Sequence, residues 1–149
     1  MLNVTWSRDT AAHLLRRAGF GATPAELDQY TALGLEAAVD KLINYETTSN
    51  AALDAILGQF DFDFTRFRDV QTWWILRLIY TARPLEEKMV FFWHDHFATS
   101  AAKVPNEYMK VQNDLFRTFA LGNFKDMLIA VSKDPAMLDW LDNRLNRVG

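Results

Sequence analysis

Two of the chain's three histidines stand two residues apart in His94-Asp95-His96, and the third opens the run His13-Leu-Leu-Arg-Arg-Ala-Gly-Phe-Gly21. Imidazole titrates near neutral pH and is the commonest metal ligand, so acid–base or metal chemistry would be sought first at these positions. Their spacing limits what they can do together. At i and i+2 two histidines can share a metal from a strand or loop, but on a helix they point about 200° apart. In a helical segment each histidine is therefore expected to have its own surroundings rather than to form a simple two-histidine chelate.

Helical projection puts Leu85, Met89, Phe92, Trp93 and His96 on one stripe, with His94 opposite, near Glu87, Val90 and Phe91. This predicts His96 as a buried imidazole hydrogen-bonded within the core. His94 is then the candidate base or metal ligand, in need of a carboxylate from another helix, with Asp95 beside it in the chain. In the first run Ala11, Leu14, Leu15 and Ala18 make an apolar face, and Asp9, His13, Arg16 and Arg17 a polar one. The polar face reads either as a solvated surface with neighbours at i+4, or as a place where His13, Arg16 and Arg17 meet an anionic ligand or a carboxylate.

Familiar catalytic patterns are missing. There is no HExxH, no paired Glu-x-x-His, no phosphate-binding glycine loop and no Gly-x-Ser-x-Gly elbow around Thr99 or Ser100. The chain has no cysteine, which excludes disulfides, thiolate metal sites and cysteine nucleophiles. A metal ion held through the histidines is the one cofactor left open. Trp73, Trp74, Phe91, Phe92, Trp93, Phe97, Phe116, Phe119 and Phe124 recur at helical spacing and read as core rather than as a ligand cradle.

The elements that must position these residues are marked by helix punctuation. Thr23-Pro24-Ala25-Glu26 predicts a capping box with proline at the first helical position, Asn123 with Asp126 predicts a second start, and Asp134-Pro135 a third. The resulting map is Ser7 to Ala18, Pro24 to Leu33, Leu35 to Tyr45, Ala51 to Leu57, Phe64 to Ala82, Leu85 to Ser100, Asn106 to Leu121, Phe124 to Lys133 and Pro135 to Leu141. Gly19-Phe20-Gly21 reads as a helix stop and tight turn. The fold class is all-α: a compact multi-helix array of eight or nine helices around a long antiparallel hairpin turning at Arg83-Pro84. No repeat, linker or low-complexity run divides the chain, so a single domain over residues 1–149 is expected.

A net charge of −3 and a pI near 5.6 leave no basic footprint for a nucleic acid. No window approaches the roughly 18 apolar residues of a membrane span. The polar start Met1-Leu-Asn-Val-Thr-Trp-Ser-Arg-Asp9 is no export signal, so the default expectation is a soluble, cytoplasmic protein.

The His13–Gly21 run and the segment Pro84-Leu-Glu-Glu-Lys-Met-Val-Phe-Phe-Trp-His-Asp-His-Phe-Ala-Thr-Ser100 together resemble the bacterial domain-of-unknown-function family 1800. Further matches run through Gln112-Asn113-Asp114-Leu115-Phe116-Arg117, Ala120-Leu121-Gly122-Asn123-Phe124 and Asp134-Pro135-Ala136-Met137-Leu138. The stretch from Asn44 to Arg66 matches poorly, and Arg144-Leu145-Asn146 departs from the pattern. The resemblance implies no known activity. It implies that this chain is the N-terminal portion of a longer helical protein, whose C-terminal remainder is a partner and could lend a carboxylate to the histidines. Two functions are thereby expected: a helical scaffold or binding module for that remainder or another protein, or part of a hydrolytic or redox metal enzyme with His94 and His96 near its site. The first predicts an exposed apolar patch of several hundred Å² on the order of the largest found on monomers.

Overall fold

The computed structural model describes residues 5–146. Nine α-helices make up the described chain: α1 (Arg8–Ala18), α2 (Pro24–Leu33), α3 (Leu35–Ile43), α4 (Ala51–Leu57), α5 (Phe67–Tyr80), α6 (Pro84–Phe97), α7 (Asn106–Thr118), α8 (Phe124–Val131) and α9 (Pro135–Trp140). Short 3-10 turns follow α3 at Tyr45–Thr47 and α9 at Asn143–Leu145. No strand occurs among the described residues, so the fold is all-α as expected.

The starts follow from local chemistry. Thr23 and Glu26 form the capping box, Glu26 accepting from the Thr23 amide at 2.7 Å and Thr23 Oγ1 from the Glu26 amide at 3.3 Å. Asn123 caps α8 through the Lys125 and Asp126 amides, and Asp134 caps α9 through the Met137 amide at 3.0 Å. A further capping box, between Ser7 and Thr10, opens α1.

Most helix ends fall within two residues of the sequence pattern, but three stop short of it by three residues. α5 begins at Phe67 rather than Phe64, because Asp63 captures the Thr65 amide and hydroxyl at 3.1 and 2.6 Å and holds the chain in a side-chain-closed turn. α6 stops at Phe97 instead of Ser100, with Ala98 in the left-handed region at φ 35°, after which the buried Thr99 hydroxyl donates to Gln112 of α7. α7 ends at Thr118, three residues before its expected end at Leu121.

α6 packs most extensively on α7, and less on α5, so the array is organised on the α6–α7 pair rather than on the expected α5–α6 hairpin. The main apolar cluster joins Val90 of α6, Phe116 of α7, Met127 and Val131 of α8 and Met137 of α9. A second joins Leu15, Tyr30, Ala38 and Leu42 across α1, α2 and α3. No helix among the described residues is long and apolar enough to cross a membrane.

Candidate functional site

α6 carries two of the three histidines, and its inward face is not the one hydrophobicity selects. Glu86, Glu87 and Val90 are the buried residues of this helix, while Phe91 and Phe92 remain 49 % exposed. Burial of the glutamates is made possible by arginines from both neighbours. Glu87 Oε1 accepts from Arg77 Nε of α5 at 3.0 Å and from Arg117 Nε of α7 at 2.7 Å, and its Oε2 accepts from Arg117 Nη2 at 3.0 Å. Arg117 also donates to Asp114 and Asn113 at 2.8 and 2.6 Å. Buried Trp73 lies among the guanidinium groups of Arg77 and Arg117 and the ammonium of Lys110, each between 5.2 and 5.3 Å from its ring. Burial pushes the Glu87 carboxyl up, but hydrogen bonds and charge from Arg117, then Arg77, outweigh it and hold the group below the usual carboxylate range.

This inversion corrects the expected placement of His96. It is exposed rather than buried, its ring stacked on Phe92 at 6.0 Å and edge-on to Trp93 and Phe97 at 5.8 and 5.0 Å. The aromatic positions divide likewise: Trp73 and Phe116 are core, Trp74, Trp93, Phe97 and Phe119 are half-buried, and Phe91, Phe92 and Phe124 stand out.

His94 faces the opposite way and lines an apolar cleft of about 700 Å³ between α5, the C-terminal end of α6, the following loop and α7. Val70, Trp74, Ile75, Leu78 and Phe91 supply most of its wall, with Phe67 and Met109. Its polar neighbours are largely engaged. Asn113 accepts from Arg117, Asn106 donates to the Thr65 carbonyl at 2.7 Å, and Thr99 joins a buried chain in which Gln112 Nε2 donates to Asp134 Oδ2 at 2.7 Å. His94 Nδ1 and Trp74 Nε1 are buried without a hydrogen-bond partner among the described residues. Their rings meet edge to face at 5.0 Å. Burial pushes the His94 imidazole below its ordinary value, with the charge of Asp95 opposing.

His13, Arg16 and Arg17 are exposed on α1 and away from the cleft, whereas Asp95, exposed on α6, lies outside the cleft proper but lines with His94, Trp74, Phe91 and Thr99 a shallower hollow beside it. Among the described residues no group of three or more histidine, aspartate or glutamate side chains is placed to hold a metal ion. The fold thus brings His94 to an apolar cleft, leaves His96 on a separate aromatic surface and places the α1 cations elsewhere.

The glycines of the His13–Gly21 run explain its role. A Cβ on Gly19 would lie 3.0 Å from Pro84 Cβ and 3.1 Å from the Leu15 carbonyl, so α1 ends against the first residue of α6 only because Gly19 has no side chain. Gly21 has φ +111°, open to glycine alone without strain. Phe20, between them, sits edge-on to Phe91 at 6.0 Å. The two segments most distinctive in sequence are therefore docked on each other.

Residues 13–149 match the family model described as Protein of unknown function (DUF1800). The chain belongs to that family. No curated protein and no solved structure matches it. Within this DUF1800 chain, the residues that the sequence patterns did not bring together are Arg77, Glu87 and Arg117. Their one visible signal is a pair of adjacent glutamates in an otherwise aromatic helix, each in need of a cation once that helix is buried.

Proposed function

We propose that this chain is a helical binding module whose α5–α6–α7 cleft seats an apolar helix, supplied by the C-terminal remainder of its own protein or by another protein. The cleft itself carries the reading: about 700 Å³, walled almost wholly by apolar side chains, with Phe67, Ile75 and Phe91 left 50, 52 and 49 % exposed around it. A concave, mainly apolar site rimmed by exposed large side chains is the usual form of a binding site, and a groove between helices receives an amphipathic helix through side chains at i, i+3, i+4 and i+7. Burying each such anchor contributes roughly 1.5–3 kcal/mol.

The test replaces groups that the isolated fold does not need. Ile75→Ser and Phe67→Ser are expected to leave thermal stability nearly unchanged, within about 0.5 kcal/mol for exposed positions. In the protein expressed from its complete reading frame, a photo-cross-linker at position 75 should capture one defined segment, identified by peptide mass, and Phe67→Ser should abolish that product. Absence of any cross-link in the unsubstituted protein overturns the reading. The metal-enzyme alternative has no set of three ligating side chains in its favour among the described residues, and the ring contacts of His94 are to Trp74 and Phe116, at 5.0 and 6.3 Å.

A further inference from the structure

We infer, on the reading that the apolar cleft is a docking groove for a helix, that the docked helix carries a basic side chain, lysine or arginine, whose cation enters the hollow between Trp74, Phe91, His94 and Asp95. The hollow measures about 310 Å³ and is lined by these four residues with Ala98 and Thr99. Trp74, Phe91, His94 and Thr99 line the cleft as well, so cleft and hollow adjoin across shared walls.

The lie of the groove is set by α5. Phe67, Val70, Gln71, Trp74, Ile75 and Leu78 all line the cleft and follow one another at helical spacing along nearly the whole of this helix. At 1.5 Å per residue the row from Phe67 to Leu78 is about 17 Å long, the length of about three helical turns. Trp74 stands in that row, so a helix lying along α5 passes the mouth of the hollow.

The charge of this surface is one-sided. No lysine or arginine lines the cleft or the hollow, and apart from the titratable His94 the single charged side chain lining them is Asp95. Asp95 is exposed and forms no ion pair among the described residues. The cations of the neighbouring elements are turned elsewhere. Lys88 lies over the Phe20 ring at 4.8 Å, Lys103 is held by the Trp140 carbonyl and Asp142 at 2.7 and 2.9 Å, and Arg77 and Arg117 are spent on Glu87. What enters beside Asp95 meets an unmatched negative charge.

The rings around that charge favour the same partner. Trp74 and Phe91 have centroids 6.1 Å apart with planes tilted by 42°, and His94 stands at 81° to Trp74 at 5.0 Å, so three rings in different planes surround the hollow. Aromatic faces attract a cation, the carboxylate supplies its counter-charge, and apolar walls exclude the water that would weaken both interactions. A lysine or arginine also lays its methylene stem on apolar surface while its charged head reaches the rim. An acidic side chain in the same place would be repelled by Asp95 and gain nothing from the rings.

The test uses the protein expressed from its complete reading frame, with the photo-cross-linker at position 75 to identify the docked segment and hydrogen exchange of that segment's amides to measure how firmly it is docked. The captured segment is expected to carry a lysine or arginine within about two turns of the cross-linked residue and on the same helical face. Asp95→Asn is expected to lower the protection of the segment about fivefold and Asp95→Lys about thirtyfold or more, whereas Glu36→Lys, an equal change of charge on exposed α3, should alter it by no more than about twofold. Replacing the segment's basic residue with Glu should weaken docking in the parent and restore it in Asp95→Lys. A captured segment without a basic residue, or protection unchanged by Asp95→Lys, would overturn the cation while leaving the docked helix in place. Absence of any cross-link in the unsubstituted protein would remove both.

Discussion

Glu87 has no exposed surface, and both its oxygens are bonded by arginines from the helices on either side, so a single carboxylate ties α5, α6 and α7 together. Desolvation of such a charge is expensive and is offset only while all three donors remain. Replacing it with the isosteric Gln leaves Arg77 without its counter-charge and Arg117 with Asp114 alone, for an expected loss of about 3–5 kcal/mol by denaturant titration. The pH dependence has a definite sign. The Glu87 carboxyl is depressed on folding, so its contribution is fully present above the ordinary value of 4.5 and is lost as pH falls through the lower folded value. His94, also depressed, adds a loss as pH falls through 6.5, because the unfolded ring takes up a proton that the folded one resists. Glu86 and Asp134 are raised by burial and act oppositely, relieving the fold as they become protonated. The Gln variant should therefore show a flatter fall in stability below about pH 4.5 than the parent. A variant within about 1 kcal/mol of the parent, with the same acid limb, would show that the arginines find other partners.

At the scale of the elements, the junction of α1 with α6 depends on one missing side chain. The methyl group of Gly19→Ala would meet the rigid Pro84 ring at 3.0 Å and a backbone carbonyl at 3.1 Å, neither of which can swing aside. Overpacking of that kind costs about 1–3 kcal/mol, so the melting temperature should fall, whereas Gly58→Ala, whose nearest contact is at 3.3 Å in a short helix end, should fall less. Equal effects at the two positions would count against the junction as the reason for Gly19. The same contrast between local and tertiary causes governs what could be read from sequence. Thr23, Asn123 and Asp134 announced their helices because a cap is made within three or four residues. The early stop of α6 at Ala98 was not legible, since Thr99 is drawn away by Gln112 on another helix. For the candidate site the sequence distinguished His94 from His96 but assigned burial to the wrong one. Hydrophobicity turns Phe92 and His96 inward, and only the positions of Arg77, Arg83 and Arg117 in space explain why Glu86 and Glu87 take that place.

The whole molecule is built on unequal cores, and this decides how it should open. The cluster of Val90, Phe116, Met127, Val131 and Met137 draws on four helices and is flanked by five further aromatic side chains and Leu115, whereas that of Leu15, Tyr30, Ala38 and Leu42 draws on three short N-terminal helices and is flanked by one aromatic, Trp6, with Leu14, Ala18, Leu27 and Leu85. The N-terminal trio is joined to the rest mainly where α1 and α3 touch α6. Cooperative units of this kind open at different free energies, and the one with less buried apolar area and fewer links opens first. Native-state hydrogen exchange in low denaturant should therefore place the amides of α1, α2 and α3 on one isotherm with a lower opening free energy, and those of α6 and α7 on the global isotherm. The Glu87 network belongs to the second unit, so Glu87→Gln should lower the α6–α7 isotherm while leaving the first opening nearly unchanged, and Gly19→Ala should act chiefly on the opening of the first. Merging of all helices on a single isotherm in the parent chain would mean that the Gly19–Pro84 contact couples the two cores completely, and both variants would then shift every amide alike.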